Sequence, residues 1–178
     1  MLQSRYAQLA ATPSDIYQHL PTLRKYAQQC NSVTELGVRT IVSLWSWLDA
    51  GVPIIRAYDI LQPPADNLTY VENYAVENSI DFKFTCADVL QITLEPTDLL
   101  FIDTWHVYPQ LKKELELHGE VARKFMMFHD TTLYGRSGED GSTRGLQDAL
   151  DEFLLESDSW RVREKFTNNN GLTVLERI

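Results

Sequence analysis

Two short apolar runs constrain this chain more than any other feature. Leu99, Leu100, Phe101 and Ile102 lead without polar alternation into Asp103, with Trp105, His106 and Tyr108 just beyond; Phe125 to Phe128 lead in the same way into His129 and Asp130. Runs of this kind suit strands covered on both faces, the condition of a parallel sheet held between helices. Pro109 to about Lys124 lies between them and is predicted to be an amphipathic helix, so residues 97–132 read as strand, polar corner, helix, strand, polar corner. In open parallel sheets ligands collect at the carboxyl ends of strands, where loops converge and helix N-termini point inward. Two strand ends rich in acids and histidines therefore predict one shared site.

The rest of the chain fits the same plan. Residues 1–30 read as a peripheral helical extension in which Ser14 or Asp15 can cap a helix carrying Ile16, Leu20, Leu23, Tyr26 and Ala27 inward, with Pro21 bending it or starting a second one. Val33 to Val38 is a first strand, followed at once by a helix from Thr40 to Asp49 that Gly51 and Pro53 stop. Pro53 to Ile60 is a second strand ending in Asp59; Asn67 to Asn78 is a helix; Phe82 to Thr85 is a third strand followed by Asp88. Gly135 to Gly145 reads as a mobile surface loop, Leu146 to Leu155 as an amphipathic helix. Trp160 to Phe166 and Leu172 to Glu176, around Thr167-Asn-Asn-Asn-Gly171, have the pattern of a β-hairpin. The sum is one α/β domain, a three-layer sandwich whose Rossmann-like sheet is mostly parallel and ends in an antiparallel hairpin.

Bulk properties narrow the function. A chain of 178 residues buries enough surface to fold without staples, and the two cysteines, Cys30 and Cys86, show no metal or redox spacing, so reduced thiols in a cytoplasmic protein are expected. The N-terminus lacks a basic start and an apolar core segment, and no run is long enough to span a membrane. A formal charge of −9 argues against nucleic-acid backbone binding as the main task.

An acid ending strands one to four, with a terminal hairpin, resembles the class I S-adenosylmethionine-dependent methyltransferases over about residue 33 to the end. The resemblance implies that the first strand and its turn (Glu35, Gly37) pass under the methionine part of the cofactor, that Asp59 holds the ribose hydroxyls, and that Asp88 contacts the adenine. The turn itself reads E-L-G-V-R-T-I-V-S, with Arg39 and Ser43 where that family usually has glycine or another small residue. Asp103-Thr-Trp-His106 with His129-Asp130 is similar to the metal-dependent small-molecule O-methyltransferases of the catechol type and to the cephalosporin-hydroxylase-like branch. This implies a divalent cation, Mg²⁺ or, given an imidazole ligand, Mn²⁺ or Fe²⁺, on Asp103, His129 and Asp130, with His106 as general base. The acceptor would be a small metabolite or a sugar hydroxyl, selected by residues 1–30, by the loop, or by a neighbouring subunit of a homo-oligomer.

Plainer roles compete for the same residues. Asp59 can cap a following helix and Asp88 can form an Asx turn. Asp103, His106, His129 and Asp130 can form a buried network in which each histidine is oriented by a carboxylate. Trp105 and Tyr108 suit a pocket wall or core, and Trp45 and Trp47 suit packing on the sheet or a partner. A repurposed or non-catalytic member of the fold, such as a metal-dependent hydrolase or a binding subunit, is the second function class. A nicotinamide dehydrogenase ranks third, because no G-x-G-x-x-G follows strand one.

Overall fold

The computed structural model describes residues 4–178. Its seven strands are β1 (Ser32–Leu36), β2 (Ile54–Asp59), β3 (Asp81–Cys86), β4 (Thr97–Ile102), β5 (Ala122–His129), β6 (Trp160–Phe166) and β7 (Leu172–Arg177). They form one sheet in the order β3-β2-β1-β4-β5-β7-β6, the first five parallel and β7 antiparallel to both its neighbours. Six α-helices, α1 (Arg5–Ala11), α2 (Leu20–Ala27), α3 (Leu44–Asp49), α4 (Ala65–Glu77), α5 (Tyr108–His118) and α6 (Leu146–Glu156), cover it.

The apolar runs behave as their pattern demands. Every residue of β4 is buried, and successive side chains go to opposite faces. Leu99 and Phe101 join the core beneath α2, α3 and α4, whereas Leu100 and Ile102 join the core beneath α5 and α6. Met127 and Met126 of β5 divide in the same way. Trp47 is fully buried against Phe101, and Trp45 packs against Tyr70 and Tyr74 of α4, so both tryptophans pack within the chain.

Sheet order reverses between β1 and β4, and there the two strand ends touch. Gly37 directly follows β1 at φ +87°, and a Cβ on it would lie 2.0 Å from the carbonyl oxygen of Asp103, so only glycine allows that approach. Helix boundaries depart from expectation on either side. The helix expected from Thr40 starts only at Leu44, because Arg39 and Ile41 sit at positive φ (46° and 64°), which breaks helical geometry. The helix expected to reach Lys124 stops at His118, and Lys124 lies within β5. At the N-terminus Ser4 caps α1, Pro21 lies in the first turn of α2, and neither Ser14 nor Asp15 caps a helix. Among the described residues no helix is long and apolar enough to cross a membrane.

Candidate active site

A cavity of about 410 Å³ opens at the carboxyl edge of the sheet where the order reverses. Gly37, Asp59, Asp88, Asp103, His106 and Asp130 all line it, so five strand ends deliver six of the eight residues singled out from sequence to one space. Its volume falls in the range of small-molecule sites.

Glu35 stands apart and corrects the expectation that it lines a cofactor site. It is wholly buried, its carboxyl accepting hydrogen bonds from Ser43 Oγ and, at 2.5 Å, from Trp47 Nε1. Strand alternation puts Glu35 on the same face as Val33, the face that α3 covers, whereas the cavity opens beyond the end of the strand, where Gly37 and the loop lie. Burial pushes its pKa up to about 8 from 4.5, against the pull of the two hydrogen bonds. The folded state thus keeps a proton that the unfolded chain releases near pH 4.5, and Glu35 makes stability fall as pH rises from there to about 8. Glu35→Gln can accept from Trp47 and donate to Ser43, so at pH 8.5 the variant should be more stable than the parent by on the order of 2 kcal/mol. Urea unfolding at pH 5 and pH 8.5 checks this; the stability gap should nearly close at the lower pH.

Asp59 ends β2 at the cavity wall. Its Oδ2 accepts from the amides of Val38 and Arg39, both at 2.8 Å, and its Oδ1 accepts from Leu61 N at 2.9 Å. The carboxylate thus holds the loop after β1 in its positive-φ course. Asp88 accepts from Leu90 N at 2.9 Å and caps a short 3-10 turn, the modest role anticipated for it, while still facing the cavity. Across the mouth Arg39 pairs with Asp15 at 2.8 Å, joining the loop to the N-terminal segment.

Beside these groups lies a histidine-carboxylate cluster. His129, only 1% exposed at its side chain, places Nδ1 3.3 Å from Asp103 Oδ1 and 3.4 Å from Asp130 Oδ2. His106 places Nε2 2.9 Å from Asp130 Oδ2 and 3.3 Å from Asp103 Oδ1, and Nδ1 3.1 Å from Glu139 Oε2. Burial disfavours charge on both rings, but hydrogen bonds to Asp103 and Asp130 outweigh it and push each pKa up to about 10. Burial likewise opposes charge on both aspartates, and the two histidines overcome it to hold the carboxyls below their usual range. A neutral His106 at pH 7, the state a general base needs, is therefore not what these residues alone produce.

One atom in the cluster has no protein partner: the buried Oδ1 of Asp130. Donor atoms of Asp103, His129 and Asp130 lie within 4.8 Å of one another, and two carboxylates with one imidazole are a hard-to-borderline set suited to a divalent cation. The residues fit the group. Such an ion would replace the positive charge that protonated rings otherwise supply, and it would give Asp130 Oδ1 a partner.

Several site residues carried no sequence signal. Glu139 reaches His106 from the loop expected to be mobile, and its amide donates to the His106 carbonyl at 3.0 Å. Tyr134 stacks on the same ring, centroids 5.1 Å apart. Neither lies at a strand end, so periodicity could not mark them. Trp105 is 56% exposed at the cavity, part of its wall rather than core.

No family model and no curated protein matches this chain. Solved structures do. The O-methyltransferase from Bacillus cereus in complex with SAH superposes with a TM-score of 0.69 at 13% identity, over 97% of this chain and 89% of that one. TomG from Streptomyces achromogenes, an O-methyltransferase involved in tomaymycin synthesis and solved in complex with SAM, gives 0.68 at 13% identity over 99% and 91%. The chain has the α/β Rossmann-like fold of the class I methyltransferases.

Proposed function

We propose that this protein is an S-adenosylmethionine-dependent O-methyltransferase that acts on a hydroxyl of a small metabolite or sugar with the help of a divalent cation. The observation that carries the reading is that a cation-type donor set, Asp103, His129 and Asp130, meets Gly37, Asp59 and Asp88 at one sheet edge, five of the six, all but His129, lining one cavity. The similar structures solved with SAM and SAH supply the class of cofactor.

In this reading Asp59 receives the ribose hydroxyls. A carboxylate offers about four acceptor positions and three already hold amides, so a diol must displace at least one of them. Losing a charged acceptor costs about 1.5 to 3 kcal/mol per hydrogen bond. Asp59→Ala is therefore expected to weaken S-adenosylhomocysteine (SAH) by about tenfold or more, read by calorimetry; unchanged affinity in the folded variant would remove Asp59 from the site. Asp88 faces the adenine end, and the Gly37 turn lets the backbone come close.

S-adenosylmethionine supplies an electrophilic methyl group, and the cation, when bound, holds an acceptor oxygen and lowers its pKa. Asp103, His129 and Asp130 would hold the cation; Mg²⁺, Mn²⁺ and Fe²⁺ are the candidates, the imidazole favouring the latter two. His106 takes the acceptor proton at Nε2. Asp103 and Asp130 hold its ring protonated, and a bound cation would oppose that attraction. Glu139 and Tyr134 hold the ring in place.

A panel of catechol-like and sugar hydroxyls, incubated with S-adenosylmethionine and Mn²⁺ or Mg²⁺, tests the reading by SAH release. Release that needs an acceptor and stops on chelation supports it; release indifferent to chelation contradicts the cation's part. The second reading, a repurposed fold that no longer uses the cofactor, is favoured by the loop amides already seated on Asp59. No SAH binding at all would select it.

A further inference from the structure

The turn between β6 and β7 reaches across the sheet edge to the cluster. We infer that Asn169 is a positioning residue for His129: its backbone carbonyl fixes the proton on Nε2 and so leaves Nδ1 for a cation. The inference rests on the cation reading above.

The carbonyl oxygen of Asn169 lies 3.2 Å from His129 Nε2 and 3.1 Å from His19 Nε2, and that of Asn168 lies 3.0 Å from His19 Nε2. A carbonyl only accepts, so both imidazoles donate from Nε2. In a neutral His129 the Nδ1 lone pair then faces Asp103 and Asp130 at 3.3 and 3.4 Å, an arrangement that repels unless positive charge lies between. A metal-bound histidine is oriented in this way by what its other nitrogen donates to.

The position of that carbonyl is fixed from several sides. The Asn170 carbonyl accepts from the amides of Thr132 and Leu133, both at 2.9 Å, which pins the turn to the exit of β5. A Cβ on Gly171 would lie 2.3 Å from Thr132 Oγ1, so glycine is what permits this contact. The Asn169 side chain accepts from Gln18 N and donates to Ser14 O, each at 2.8 Å, while Asn168 Nδ2 donates to Gln18 Oε1 at 2.6 Å. Asn169 thus needs both an acceptor and a donor on a short side chain, together with φ +45°, a combination that suits asparagine. His19, 1% exposed and edge-on to His129 with ring centroids 5.7 Å apart, closes the other side. The N-terminal segment, read from the sequence as a peripheral helical extension, is part of the support for the cation site through Ser14, Gln18 and His19.

The test is Mn²⁺ affinity, measured by calorimetry on the parent and on Asn169→Gly, which keeps the carbonyl and tolerates positive φ but loses both side-chain clamps. Loss of such support typically weakens a metal by about ten- to a hundredfold, and that is the expected change. Imidazole nitrogen NMR of the Mg²⁺-loaded parent provides a reading without any substitution, and should show His129 protonated at Nε2 only. Equal Mn²⁺ affinity in the two proteins, or a proton on Nδ1 of loaded His129, overturns the role of Asn169. Failure of the parent itself to bind Mn²⁺ overturns the cation reading on which it rests.

Discussion

His106→Ala should reduce turnover by about a hundred- to ten-thousandfold while changing SAH affinity little, the range typical of removing a positioned general base. The ring lies 2.9 Å from Asp130 and 3.3 Å from Asp103 and lines the cavity with them, so it can reach an acceptor held beside those carboxylates. Its partial exposure, 18% at the side chain, makes the substitution a loss of chemistry rather than of core. A structural role would look different, with cofactor affinity and thermal stability falling together. If His129→Ala abolishes turnover with the metal still bound and His106→Ala leaves it intact, the proton goes to His129 instead.

Asp103→Asn should weaken Mn²⁺ by about a hundredfold or more, beyond the range expected for a residue that only supports a ligand. Asp103 meets both His106 and His129, and its hydrogen bonds to them hold its carboxyl charged despite burial. The asparagine keeps shape and loses the charge. Metal content measured on the purified variant checks the point, and content equal to the parent's would mean that Asp103 serves only the hydrogen-bond network.

Much of this was legible in the sequence because burial on both faces leaves a plain trace. The runs at 99–102 and 125–128 place β4 and β5 side by side, and their terminal residues, Asp103, His129 and Asp130, then have to meet. Asp59 and Asp88 were read instead as the acids that follow strands two and three, and both line the cavity. Glu35 was placed on the wrong side because a strand-end acid does not state which face it takes; Ser43 and Trp47 draw it under α3. The helix start at Leu44 depended on positive φ at Arg39 and Ile41, non-glycine residues that give no such warning. Contacts of long sequence separation, such as Asn169 with His129 or Glu139 with His106, have no local pattern, and only the folded chain displays them.

The proposed function stands or falls first on the cofactor. Calorimetric titration of the intact protein with SAH, in the presence of Mn²⁺, is the direct measurement. The account predicts saturable binding at one site per chain, weakened in Asp59→Ala. An absence of heat up to about 1 mM ligand, corresponding to less than about 4 kcal/mol of binding, would contradict it.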